Sequence, residues 1–141
     1  MEDEVLHAVG RLVRDTRWAA LATLGPSGPL ASQVAWSPDP DLTGGQLHLS
    51  RLAAHTRHLL ADPRAALSLT EPDDGREDPQ TLPRIALEGE AEPLARDEPG
   101  WPEARARYLA RFPAAGQWFD FTDFTLFRFR FARARYVGGF A

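Results

Sequence analysis

From Thr125 to Val137 the chain sets Phe127, Phe129 and Phe131 on one side of an extended segment, with Leu126, Arg128, Arg130, Ala132 and Ala134 between them on the other. Successive strand side chains point to opposite faces, so this pattern makes a core strand whose second face meets water, a ligand or a partner chain. The same period returns at Gln46 to Ser50, where Leu47 and Leu49 oppose His48. It returns again at Arg84 to Leu94, where Ile85, Leu87, Gly89 and Ala91 oppose Arg84, Glu88, Glu90 and Glu92. Trp18 to Leu24 and Leu30 to Trp36 read as two strands of a hairpin around the turn formers Gly25-Pro26-Ser27-Gly28-Pro29, and another strand starts after Pro63.

Three helices fit between them. Glu2 to Asp15 repeats Val5, Leu6, Val9, Leu12 and Val13 at helical spacing. A second helix follows Ser50 and stops at Asp62-Pro63, and a third spans Asp97 to Phe112. Ser37 to Gly45 and Glu71 to Leu82 read as loops. About six strands with hairpin-length connections predict a mainly β, α+β fold: a six-stranded antiparallel split barrel with flanking helices, one domain over residues 1–141.

Composition narrows the chemistry. A formal charge of −4 argues against bulk nucleic-acid binding. All 16 basic residues are arginine, which removes lysine Schiff-base mechanisms, and the absence of cysteine removes disulfides, thiolate nucleophiles and Cys-type metal sites. No apolar run reaches the length of a membrane span and the first residues are too acidic for a signal peptide, so the expected location is the cytoplasm.

The stretch Gln46 to Thr70 carries the clearest chemical signal. Ser50 stands where an N-cap would stand, with Leu52, His55, Leu59 and Leu60 as the helix stripe. A helix start favours an oxyanion, and Ser50, Arg51, His55, Thr56 and Arg57 lie within two turns of it, so a phosphorylated ligand is expected. A capped amphipathic helix with solvated arginines fits the same residues. The alanine-rich hairpin Ala19, Ala20, Ala22, Ala31 and Ala35 would let a flat ligand or another backbone approach closely; tight sheet packing is the alternative.

Several blocks together carry a family resemblance. They are A-L-A-T-x-G-P-x-G-P-x-A-S-x-V from Ala20 to Val34, L-S-R-L-A-A-H-T-R-H-L-x-x-D-P-R from Leu49 to Arg64, and R-I-A-L-E-G-x-A from Arg84 to Ala91. R-Y-L-x-R-F-P from Arg107 to Pro113, F-x-D-F-x-L-F-R from Phe121 to Arg128 and the closing G-G-F complete the set. The succession resembles the pyridoxamine-phosphate-oxidase-like, FMN-binding split-barrel superfamily, and within it the haem-utilisation branch.

The resemblance implies a homodimer with a flavin mononucleotide at each end of the subunit interface and an FMN-dependent oxidoreductase of a small substrate. Carried over, Ser32, Gln33, Val34 and Ala35 would lie along the flavin ring. Ser50, His55, Thr56 and Arg57 would hold the phosphate, with Arg84 as a further cation. A deazaflavin or haem is the alternative ligand, and a flavin-binding dimer without catalysis is another reading. Haem-degrading members lead one to expect an axial histidine in a C-terminal extension; no histidine follows His58, which leaves His48, His55 and His58 as the candidate iron ligands.

Overall fold

A computed structural model describes residues 2–139, and Phe140 of the G-G-F block lies outside them. Seven strands form one antiparallel sheet in the order β2-β1-β5-β6-β7-β4-β3. They are β1 (Trp18–Gly25), β2 (Gly28–Ala35), β3 (Ser37–Pro38), β4 (Gly44–Ser50), β5 (Arg64–Thr70), β6 (Arg84–Pro93) and β7 (Phe124–Val137). The sheet curls so that β2 and β4 approach one another without pairing, which gives a barrel open along one seam. The seventh strand is β3, where a loop was expected: Ser37 and Pro38 pair with Gln46 and Gly45.

Inside the barrel lie Ala19, Leu21, Val34, Trp36, Leu47, Leu49, Leu67, Leu69, Ile85, Leu87, Phe127 and Phe129, as the period-2 patterns require. The phase of β7 changes partway. Glu88 pairs with Arg133 and Gly89 with Phe131, so Ala132 is an extra residue, a β-bulge. Ala134 therefore joins the inward set, and Arg133 and Arg135 share the outer face with Arg128 and Arg130. That corrects the alternation expected beyond Phe131. On this outer face Arg133 and Arg135 both approach Glu88, at 2.9 and 3.5 Å.

Three helices pack around the barrel: α1 (Asp3–Asp15), α2 (Ala54–Ala61) and α3 (Trp101–Arg111). α1 starts with Asp3 and Glu4 and ends with Arg14, matching its dipole, and buries Leu12 and Val13 against the core. A 3-10 segment, Pro113–Asp120, follows α3. With Leu94 and Leu126 these two elements build a second apolar cluster of Ala104, Tyr108 and Phe119 outside the barrel wall.

Candidate functional site

β4 runs out at Ser50 and α2 does not begin until Ala54, so the expected cap is displaced. Ala53 holds the N-cap position and has no side chain to cap with. The Ser50 hydroxyl instead accepts from the Leu52 N–H at 3.2 Å, closing a local turn. Of the expected helix stripe α2 buries Leu59 and half-buries His55, while Leu52 and Leu60 are 78% and 49% exposed and Thr56 is buried in addition.

The arginines of this turn are occupied. Arg57 Nη1 donates to the Leu52 carbonyl at 2.8 Å and Arg51 Nε to the Thr125 hydroxyl at 3.1 Å. What remains open is narrower: the first N–H groups of α2 lack a side-chain cap, and the Thr56 Oγ1 is buried without a hydrogen-bond partner among the described residues. Those two features fit a phosphate; the Ser50 hydroxyl, engaged in its own turn, does not add to it, and Arg57 keeps N–H groups beyond the one it donates.

Arg84 stands elsewhere. It pairs with Thr70 at the far end of β5, whereas α2 joins β5 at Arg64, so about 20 Å of strand separates them at ~3.3 Å per residue. Arg84 Nη1 donates to the carbonyls of Gln80 and Leu82 at 2.6 and 3.2 Å.

The hairpin does meet α2. His58 Nδ1 lies 3.0 Å from the Thr23 hydroxyl, and its ring covers Gly25, where any Cβ would overlap it. His55 is half-buried, and burial followed by the nearby His58 lowers its pKa. Of the residues assigned to the flavin ring, Val34 points into the core and Ser32 shares its face, opposite Leu21. Gln33 and Ala35 lie on the outer face beside Ala20 and Trp18. A ring laid along this strand meets the side chains of only one alternating set.

A different residue lines a cleft on the outer face of β4. His48, opposite Leu47 and Leu49, faces out of the barrel, where its ring stacks on Phe119 at 3.7 Å and 8° and meets Tyr108 edge-on at 5.7 Å. The cleft holds about 320 Å³ and is lined by His48, Arg51, Arg96, Trp101, Phe119 and Phe124. Burial, with Arg96 as the second cause, pulls the His48 pKa down to about 4, so the ring is neutral at pH 7. It has no hydrogen-bond partner among the described residues.

Arg96 is anchored by donating to the Phe119 carbonyl and lies 5.2 Å over the Trp101 ring. A neutral imidazole, flat aromatic walls and two guanidinium groups suit a planar dianion carrying its own metal, as a haem does. No three His, Asp or Glu side chains converge among the described residues as a bare metal ion would need. The signal for this cleft lay in the sequence, in the Trp118 to Phe124 aromatics and in the placement of His48 opposite the core leucines. Only the fold brings Arg96 and Phe119 to them.

A family model described as pyridoxamine 5'-phosphate oxidase matches residues 5–138. A non-canonical haem oxygenase of Arabidopsis thaliana, HOZ, described as chloroplastic, is 37% identical over 114 residues, 80% of this chain and 33% of that protein. The structure of a haem-binding protein from Mycobacterium smegmatis is 34% identical with a TM-score of 0.81, covering 92% of this chain and 52% of that one. HutZ of Vibrio cholerae, described as a haem storage protein, shares the fold at TM-score 0.84 with 20% identity, covering 95% of each chain. The chain thus spans a third of the Arabidopsis relative and about half of the mycobacterial one.

Proposed function

As a member of the pyridoxamine 5'-phosphate oxidase family, this chain, we propose, is a haem-binding protein built on the split barrel. The observation that carries the reading is the state of the residues themselves: a neutral, unpartnered imidazole lines an aromatic cleft together with two arginines. Support comes from two relatives above 30% identity that are described by haem.

Bound haem would supply iron redox chemistry. The chain supplies a nitrogen ligand from among His48, His55 and His58, cations for the carboxylates and apolar walls for the ring. At about 320 Å³ the cleft sits at the small end of ligand pockets, so most of a tetrapyrrole would extend beyond it. A second subunit closing over the exposed part agrees with the bare rings of Trp118 and Phe121, 41% and 47% exposed.

A second reading keeps the flavin. The uncapped start of α2 and the orphaned Thr56 hydroxyl would offer an anion a place near the turn end of the hairpin, where His58 meets Thr23 and Gly25, and the phosphate of FMN or a deazaflavin would sit there. In that reading the protein is an oxidoreductase of a small substrate, or a flavin-binding dimer without turnover.

Titration of the purified chain with haemin and, separately, with FMN tests both. Haem binding gives a saturable Soret band; no spectral change with haemin ends the first reading. Flavin binding quenches or shifts FMN fluorescence to saturation; an FMN titration without change ends the second.

A further inference from the structure

We propose that His48 is the residue that ligates the iron, with Arg51 and Arg96 receiving the two carboxylates of the haem; this rests on the haem-binding reading and assigns it a place. Among the described histidines, each ring stands in a different condition. His7 is exposed on α1. His58 commits Nδ1 to the Thr23 hydroxyl and lays the rest of its ring on Gly25. His55 shares its helix face with His58 one turn away, beside the uncapped N–H groups of α2. His48 alone combines a ring stacked between aromatic neighbours with a place in the lining of a cleft.

The fixing is mechanical. Phe119 covers one face of the imidazole in near-parallel contact, Tyr108 meets it edge-on and Phe124 tilts against it at 5.3 Å. A ligand ring held this way loses little rotational freedom when iron binds, and a nitrogen with no competing donor keeps its lone pair free.

The charges near this group come from three places, while β7 and the 3-10 segment line the cleft with uncharged residues. Arg51 comes from the turn after β4, Arg96 from the segment after β6 and Arg105 from α3, the last lying 5.2 Å from the Phe119 ring. No carboxylate lines the cleft, so its local charge is positive, and Arg51 and Arg96 each keep N–H groups beyond the one donated to Thr125 and to the Phe119 carbonyl. Two arginines and an imidazole lining one cleft complement a dicarboxylate macrocycle, whose metal can take the nitrogen and whose acids can take the guanidinium groups.

The test uses the full chain and its ferric spectrum. His48→Phe keeps an aromatic ring to stack on Phe119, slightly larger than imidazole, and removes the nitrogens. Wild-type protein should give a histidine-ligated Soret band and a matching ferric EPR signal. His48→Phe should lose both, His55→Phe and His58→Phe should retain them, and His48→Gly should recover the ligated spectrum with millimolar free imidazole. Arg51→Ala with Arg96→Ala should raise the haem dissociation constant at least tenfold without changing the ligated spectrum.

A ligated spectrum that survives in His48→Phe overturns the assignment while leaving haem binding standing. Wild-type protein with no Soret band overturns the haem reading itself. Circular dichroism of each variant confirms folding, and if His48→Phe is unfolded, failure of imidazole to restore the spectrum in folded His48→Gly also overturns the assignment.

Discussion

The Arg111 guanidinium donates to the carbonyl oxygens of Arg14, Thr16 and Trp36 at 2.6, 2.8 and 3.0 Å, fastening the end of α1 and the end of the hairpin to α3. Trp36 adds its own bond from Nε1 to the Thr16 carbonyl at 2.6 Å. Removing the guanidinium leaves part-buried acceptors without a donor, so Arg111→Ala should lower the unfolding free energy by about 2–4 kcal/mol in urea titration. Arg111→Lys should recover only part of it, because one ammonium cannot span three carbonyls.

His48 gives a second prediction at this scale. Its pKa falls from 6.5 to about 4 on folding, so between those values the unfolded chain binds the proton and the native one does not. Stability is therefore full above pH 6.5 and falls as pH drops toward 4. The ring is partly exposed, which discounts the effect to about 1–2 kcal/mol. Urea unfolding at pH 7 and pH 4.5 should show that loss in the wild type and a smaller one in His48→Phe; equal losses would mean the ring titrates normally.

At the scale of elements, α2 offers the clearest experiment. Thr56 buries a hydroxyl that finds no partner among the described residues. Thr56→Val keeps the shape and should stabilise the free protein by about 0.5–1.5 kcal/mol in chemical denaturation. If the flavin phosphate does bind there, the same variant should also weaken FMN several-fold, whereas haem affinity should not change.

The elements that were legible from the sequence are those whose pattern is local. The hairpin turn, the leucines of β4 and the phenylalanines of β7 each announce themselves within a few residues. What was not legible depended on pairing. The Ala132 bulge is set by the register against Glu88 and Gly89, and β3 exists only because Gly45 and Gln46 lie beside it. Ser50 looked like a cap because its residue type suits one, yet β4 keeps it in the sheet opposite Phe124. The candidate site divides the same way: the charged turn was visible, but Arg84 turned out to belong to the other end of β5, and the partners of His48 come from segments far along the chain.

For the molecule as a whole, the outer wall carries Arg128, Arg130, Arg133 and Arg135 against Glu88, Glu90 and Glu92, and bare aromatic rings stand near the cleft. Arginine and large aromatics are the residues subunit contacts favour. Sedimentation at micromolar concentration should give the mass of two chains, and Trp118→Ala with Phe121→Ala should shift the equilibrium toward one. No helix among the described residues is long and apolar enough to cross a membrane.

Whether this barrel takes a haem rather than a flavin is decided by two parallel titrations, followed by absorbance and by fluorescence. The chain titrated with haemin should give a saturable Soret band at about one haem per chain, and the chain titrated with FMN should leave the flavin fluorescence unchanged. A protein that binds FMN to saturation and gives haemin no Soret band would contradict the account.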